Sequence, residues 1–509
     1  MELQMFATPS LPSLPREFPT ISKRGGAVAV AAALALLSGG AAMPAHAATF
    51  TPLYNFGVTD ASQNFPSGQL ALGRDGNFYG TMNNNRAQIF KITPAGKETV
   101  EWVSPSENVQ PETADVCYSG LTLGPGGLLY GACQQYSISG TDWDTAGAIF
   151  SYNPKLGQNG FKVLHAFAPI NANGQSVYPS ALIEGDDDNL YGVVQGVGQG
   201  ANPLGFVFKI SPSGALTVLH AFQGQDANDG AFPNGPLTLG ADGNFYGTTQ
   251  QGGISGQQNG GTAFQITPQG KVTILYYFPN GGGPEAGLTQ GLDGNFYGTT
   301  YNGGTNSKGT VFQLTPSGTM TVLHNFNQAT DKGAYPTHVL TLAPKGNLYG
   351  VLTDYNAGGL GPASLFRITT KGAYTDLYSD GDVCRTNAVA ANGCLLSSPL
   401  ALDPSGAFYG TAQQGGSEGR GVFYRLNANV QPFVGLEVPL GKPGSAVGIL
   451  GRNLKTATAV SFNGIAASFT IDGYGYIKAT VPGGATSGYV TVTMPSGTLQ
   501  SNAPFTVEP

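Results

Sequence analysis

The sequence predicts an all-β protein: a seven-bladed β-propeller closed by an N-terminal strand and followed by an immunoglobulin-like β-sandwich. Three observations carry this. A phrase ending in Tyr-Gly recurs seven times, at Tyr79, Tyr130, Tyr191, Tyr246, Tyr297, Tyr349 and Tyr409, most purely as Asp-Gly-Asn-Phe-Tyr-Gly at 75–80, 242–247 and 293–298. The intervals of 51 to 61 residues are those of a repeated structural unit. Each unit reads as four short strands, and from about Pro432 a different alternating pattern takes over.

Taken in order, residues 1–47 read as an export signal. Lys23 and Arg24 precede the apolar run Ala27–Leu37, and Ala45-His46-Ala47 offers small residues for cleavage before Ala48. The run is too short to span a bilayer as a mature helix. A signal anchor is the alternative. Removing it leaves 20 basic against 28 acidic residues, a net charge of −8. Charges are sparse, with no basic groove for nucleic acid and no polybasic or amphipathic membrane face. No later apolar run is long enough for a transmembrane segment, so a secreted or periplasmic protein is expected, and a monomer is the expected state.

The unit at 233–278 serves as a specimen. Leu237-Thr238-Leu239 is strand a, and Gly240–Gly243 is a tight turn in which Gly can take the positive φ that a reversal needs. Asn244–Thr249 is strand b, rich in aromatic and β-branched residues. A Gly-rich loop leads to strand c at Thr262–Thr267, Pro268-Gln269-Gly270 turns the chain, and Val272–Phe278 is strand d. Four antiparallel strands make a propeller blade. Gly247 removes a side chain where an aromatic ring must come close.

The phase of the repeat predicts how the ring closes. Leu53-Tyr54-Asn55-Phe56 matches the ends of the d strands, such as Leu219–Phe222 and Leu275–Phe278, while the seventh unit has only a, b and c (399–402, 407–411, 421–426). Residues 51–56 should therefore complete the seventh blade and hide an open sheet edge. The propeller is bounded at 48–430 and the second domain at 431–509. The latter has short alternating strands at 447–450, 460–463, 477–482 and 488–495, which fit a small sandwich.

Cys117, Cys133, Cys384 and Cys394 make an even set, which in an exported chain reads as two disulfides. The turn near Pro125-Gly126 puts Cys117 and Cys133 opposite each other across a hairpin. Cys384 and Cys394 share the long loop before the seventh unit.

Two resemblances rest on these motifs. Asp-Gly-Asn-Phe-Tyr-Gly-Thr-Thr (293–300), Gly303-Gly304, Gly309–Pro316 and Thr321–Phe326 make residues 50–430 similar to the GloVer-type tandem repeats of exported, choice-of-anchor bacterial proteins. Residues 432–508 resemble an IPT/TIG domain. The first resemblance implies a secreted or surface protein and supplies no catalytic residues. No sorting signal or hydrophobic tail is read after the sandwich, a departure from the anchored members.

Residues that could carry chemistry are few. His165, His220 and His324 share one position of strand d with Tyr54, Tyr276 and Tyr378, so they read as structural. Only His338 lies outside that register. Asp186-Asp187-Asp188 falls on an a–b turn, and Asp226, Asp229 and Asp331 read as d–a turn chemistry. Asp142 and Asp144 flank Trp143 in a b–c loop, an arrangement calcium could use, but the further oxygen ligands it needs are not evident. No cofactor is expected.

The function read from the sequence is a non-catalytic binding protein that recognises a polysaccharide or an envelope protein through variable loops on a constant scaffold. The d–a and b–c loops share one face and vary in length, whereas the a–b and c–d turns are short and uniform. Tyr136, Asp142, Trp143, Asp144, Tyr301 and Tyr355, all in b–c loops, are the candidate binding residues. The alternative is a propeller enzyme of lyase or hydrolase type, since the repeat is loosely similar to streptogramin lyase propellers. That activity would require His338 with acidic and metal partners.

Overall fold

A computed structural model of the chain describes residues 48–57, 65–84, 86–104, 117, 119–133, 147–167, 178–196, 204–255, 260–279, 281–356, 359–380 and 394–509. Regular structure there is β throughout, apart from short 3-10 turns. Seven antiparallel sheets with the strand order a-b-c-d follow one another along the chain among the described residues. In the fourth, Gly230–Leu239 pairs with Phe245–Gly252, then Thr262–Ile266, then Val272–Tyr277.

Strand a starts earlier than the expected Leu237. Its ladder bulges between Asn234 and Thr238 and continues beyond the bulge against the end of strand b. In the third sheet the two parts are separate strands, Tyr178–Pro179 and Ile183–Glu184. The outer part carries Gly and Pro, which read as turn signals, yet Pro is tolerated on an edge strand because one side of its backbone pairs with nothing.

The recurring phrase has a mechanical explanation. Asp242 accepts hydrogen bonds from the Asn244 backbone at 3.2 Å, the Asn244 amide at 2.8 Å and the Tyr246 hydroxyl at 2.8 Å, so one carboxylate fixes the turn and the strand after it. Asp75, Asp187 and Asp293 hold Tyr79, Tyr191 and Tyr297 the same way. Two of these rings then stack on the next sheet, Tyr191 on Phe245 and Tyr246 on Phe296, both at 3.9 Å. The aromatic that demands Gly247 belongs to the same sheet. Gly247 faces Phe264 directly across the ladder, and a Cβ there would lie 2.6 Å from the Phe264 ring.

The seventh sheet is built from both ends of the repeat region. Ala407–Gln414 and Val422–Asn427 form its middle, and Thr49–Asn55 takes the outer place, with Thr49 opposite Asn427 and Asn55 opposite Val422. Phe56 follows, 2 % exposed, with its ring edge-on to Phe90 of the first sheet at 5.4 Å. Phe222–Phe264, Phe278–Phe312 and Phe326–Phe366 make the same contact between other successive sheets. Phe78 of the first sheet lies against Tyr409 of the seventh at 4.6 Å, so face-to-face packing runs from the last sheet back to the first.

Residues 435–507 form two further four-stranded sheets around one core that includes Ile449, Phe462, Ile477, Val492 and Phe505. Leu440–Gly441 runs parallel to Thr506–Val507 beside them. The Cys117–Cys133 disulfide is present, with the two Cα atoms 3.8 Å apart. Cys384 and the Cys394 side chain lie outside the described residues, and so does their expected pairing. No helix among the described residues is long and apolar enough to cross a membrane.

Candidate functional site

A buried leucine recurs in strand a or immediately before it in every sheet (Leu70, Leu121, Leu182, Leu237, Leu288, Leu340 and Leu400), none more than 4 % exposed. The residues just before it line a central cavity of about 520 Å³ to which all seven sheets contribute. Two places before the leucine stand Gly68, Ser119, Ser180, Gly235, Ala286, His338 and Ser398. Six are small. Three places before it stand Ser67, Tyr118, Pro179, Asn234, Glu285, Thr337 and Ser397, a variable position at which only Glu285 is charged. His338 thus departs from the small residues of its own position, and Glu285, in the adjacent sheet, brings a carboxylate to the cavity wall.

Much of the wall serves the scaffold. Ser119 Oγ accepts from the Ala132 backbone at 2.9 Å and donates to the Ala132 carbonyl at 2.8 Å, and Ser398 Oγ accepts from the Thr411 backbone at 2.9 Å. Other bonds run around the wall from sheet to sheet. Asn234 donates to the Glu285 carbonyl at 2.9 Å, and Ser397 Oγ donates to the Pro66 carbonyl at 3.2 Å.

His338 belongs to this belt. Its Nδ1 is 2.8 Å from the Thr337 hydroxyl, and the ring also makes a backbone hydrogen bond to Ser397. The imidazole keeps some accessible surface because it borders the cavity, while protein atoms surround it on its other sides. Burial lowers its pKa to about 4 in spite of the Ser397 bond. A neutral imidazole that basic only near pH 4 is a poor general acid or base at neutral pH. No group of three or more His, Cys, Asp or Glu among the described residues could hold a metal ion.

Tyr301 lies on the loop face, with its ring 5.0 Å from that of Tyr335. Tyr355 sits in strand Leu348–Asn356, opposite Leu360 in the ladder. Tyr136, Asp142, Trp143 and Asp144, with the calcium arrangement, lie outside the described residues. The reading of Asp229 and Asp331 as plain turn residues needs correction. His220 Nε2 is 2.9 Å from Asp229 and His324 Nε2 is 2.8 Å from Asp331, while each carboxylate also accepts a backbone N–H, so these pairs tie strand d to the d–a loop. Burial alone would raise the Asp229 carboxyl, but the bonds from His220, Gln223 and Gly230 hold it below the usual range. The signal for this was the recurrence of a histidine in strand d with an aspartate seven or nine residues later.

The opposite face is covered. Arg74, in an a–b turn, makes a bidentate ion pair with Glu437 at 2.7 and 2.8 Å and lies 4.1 Å over the Tyr476 ring. Arg452 bonds both carboxylate oxygens of Asp403 and, at 2.7 Å, the Gly76 carbonyl, both partners being a–b turn residues. Phe433 N–H bonds the Pro404 carbonyl at 2.9 Å. A second space of about 450 Å³, sharing Gln69, Pro236 and Val339 with the central cavity, is walled on this side by Pro439, Pro504 and Thr506.

The Gloeobacter/Verrucomicrobia repeat model matches residues 112–290 and 254–438, more than half of the sequence. The chain belongs to that repeat family. Among solved structures, it is similar at 12 % identity to PorZ, an essential bacterial surface component of the type-IX secretion system of Porphyromonas gingivalis, with a TM-score of 0.44 over 87 % of this chain and 59 % of PorZ. It is also similar at 12 % identity to a luciferin-regenerating enzyme, with a TM-score of 0.37 over 76 % of this chain and 97 % of that one. At this level of overlap neither says anything about activity. No curated protein matches the chain.

Proposed function

We propose that this member of the repeat family is an exported, non-catalytic binding protein, with residues 48–430 as a closed seven-bladed propeller and 431–509 as an IPT/TIG-type immunoglobulin-like domain. Its ligand, a polysaccharide or an envelope protein, is met by the face that carries the d–a and b–c loops. The observation that carries this reading is the position of the C-terminal domain. Ion pairs from Glu437 and Arg452 hold that domain on the a–b turns, so the loop face and the mouth of the central cavity remain for a partner. The lowered basicity of His338 weighs against the enzymatic alternative.

The test is capture from an envelope fraction and a glycan array by the exported protein, followed by Tyr301→Ala and Lys271→Ala. Lys271 stands exposed in a c–d turn on the opposite face and serves as the control. Binding should fall about tenfold or more with Tyr301→Ala and hold with Lys271→Ala. The reverse pattern would contradict the assignment of the face. N-terminal sequencing of the exported protein should begin near Ala48, and an intact Lys23-Arg24 would contradict processing.

A further inference from the structure

We propose that the central cavity is a binding site for an uncharged sugar residue, with the Glu285 carboxylate as its principal acceptor. This rests on the reading of the loop face as the ligand face and names the ligand class and the groups that select it. Five features of the wall point the same way. First, the volume of about 520 Å³ lies within the range of small-molecule sites and suits one or two sugar rings. Second, no Lys or Arg lines the cavity, so phosphate, sulfate and carboxylate ligands would meet no counter-charge there.

Third, a single carboxylate faces a wall of neutral groups, too few oxygen ligands of one kind to hold a hard cation. Fourth, among the described residues the Glu285 carboxylate and the Gln69 and Gln413 amides have no intramolecular hydrogen-bond partner, although their neighbours Ser119, Asn234 and His338 do. They are the hydrogen-bonding capacity that the scaffold leaves unused. Sugar hydroxyls donate to a carboxylate and both donate to and accept from amides, so a saccharide matches the chemistry of all three. Fifth, Tyr178 borders the cavity with 40 % of its surface exposed, presenting an aromatic ring to the apolar face of a sugar.

His338 also breaks the wall's run of small residues, in the sheet next to the one that carries Glu285. Burial raises the Glu285 carboxyl above its ordinary value with no bond to offset it. Hydroxyl donors from a ligand would stabilise the carboxylate and relieve that cost.

The experiment is an array of neutral and charged glycans together with envelope capture by the exported protein, then isothermal titration of the best neutral hit against wild type, Glu285→Ala, Gln413→Ala and Tyr301→Ala. Melting curves of each variant establish that it is folded. The proposal expects a neutral saccharide ligand, weakened about tenfold or more by Glu285→Ala and measurably by Gln413→Ala. It is overturned if neither cavity variant changes affinity beyond about twofold, or if only charged glycans or only proteins are bound. Loss through Tyr301→Ala alone would keep the loop-face reading and remove the cavity. Capture of nothing from glycans or envelope would remove both.

Discussion

Asp242 does three jobs at once: it caps a turn, orients Asn244 and anchors the Tyr246 hydroxyl. Tyr246→Phe should cost about 1.5 kcal/mol in a denaturant melt, since the hydroxyl donates to the Asp242 carboxylate and accepts from the Gln265 amide at 2.7 Å. Gly247→Ala should cost more, about 2 kcal/mol, since its Cβ would press on the Phe264 ring. An alanine no worse than the phenylalanine would contradict the close-approach explanation. Glu184 gives a pH dependence. Burial, then Glu437 and Asp188, push its carboxyl up to about 8 against the pull of Arg74. The folded state keeps a proton that the unfolded chain releases near 4.5, so this group's contribution to stability declines as pH rises from 4.5 to about 8. Glu184→Gln should therefore gain in Tm over wild type as pH is raised through that window. A difference that is flat or shrinking would refute it. At this scale the sequence showed the repeated phrase plainly. It did not show the His220–Asp229 and His324–Asp331 pairs, because their register depends on the shape of a d–a loop and not on the strand pattern.

The N-terminal strand is the element on which the repeat region depends most. Its assignment was legible in the sequence because Leu53–Phe56 matches the d-strand ends and the seventh unit lacks one. The pairing of Thr49–Asn55 with Val422–Asn427 shows the same arrangement. Phe56 contributes by packing on the next sheet as well as by ending its own. Phe56→Ala should destabilise by about 3 kcal/mol or more, and Phe56→Asp further, since it would bury a charge. Removal of residues 48–56 with no change in melting would be incompatible with this role. The Cys117–Cys133 bond closes a sequence separation of 16 residues, and Cys117→Ser should cost about 3 kcal/mol on chain-entropy grounds. Non-reducing peptide mapping that joins Cys117 to Cys384 would contradict the pairing. The outer half of strand a was not legible, since Gly and Pro there signal a turn in isolation and are tolerated only because the strand is an edge.

In the whole molecule, the C-terminal domain is tied to the repeat region by charged side chains. Arg452 reaches Asp403, which is 1 % exposed, and Gly76 in the first sheet, so one side chain links the two ends of the repeat region to the second domain. Arg452→Ala would leave Asp403 buried without that partner, and a loss of about 3 kcal/mol is expected. Limited proteolysis should then cut near 428–433 faster than in wild type. The sequence did not indicate this contact, because nothing in the alternating pattern of 435–507 shows which surface it covers. The cavity wall was legible only in part: His338 stood out as unrepeated, while Glu285 stands at a variable position that the repeat does not mark. The most direct test of the account is hydrogen exchange of the exported protein with and without the first ligand recovered from the glycan array or the envelope fraction. Protection confined to the loop face and to the strand-a segments near 67–69, 178–180, 285–287 and 337–339 is predicted. Protection concentrated in 435–507, with the cavity wall unchanged, would contradict it.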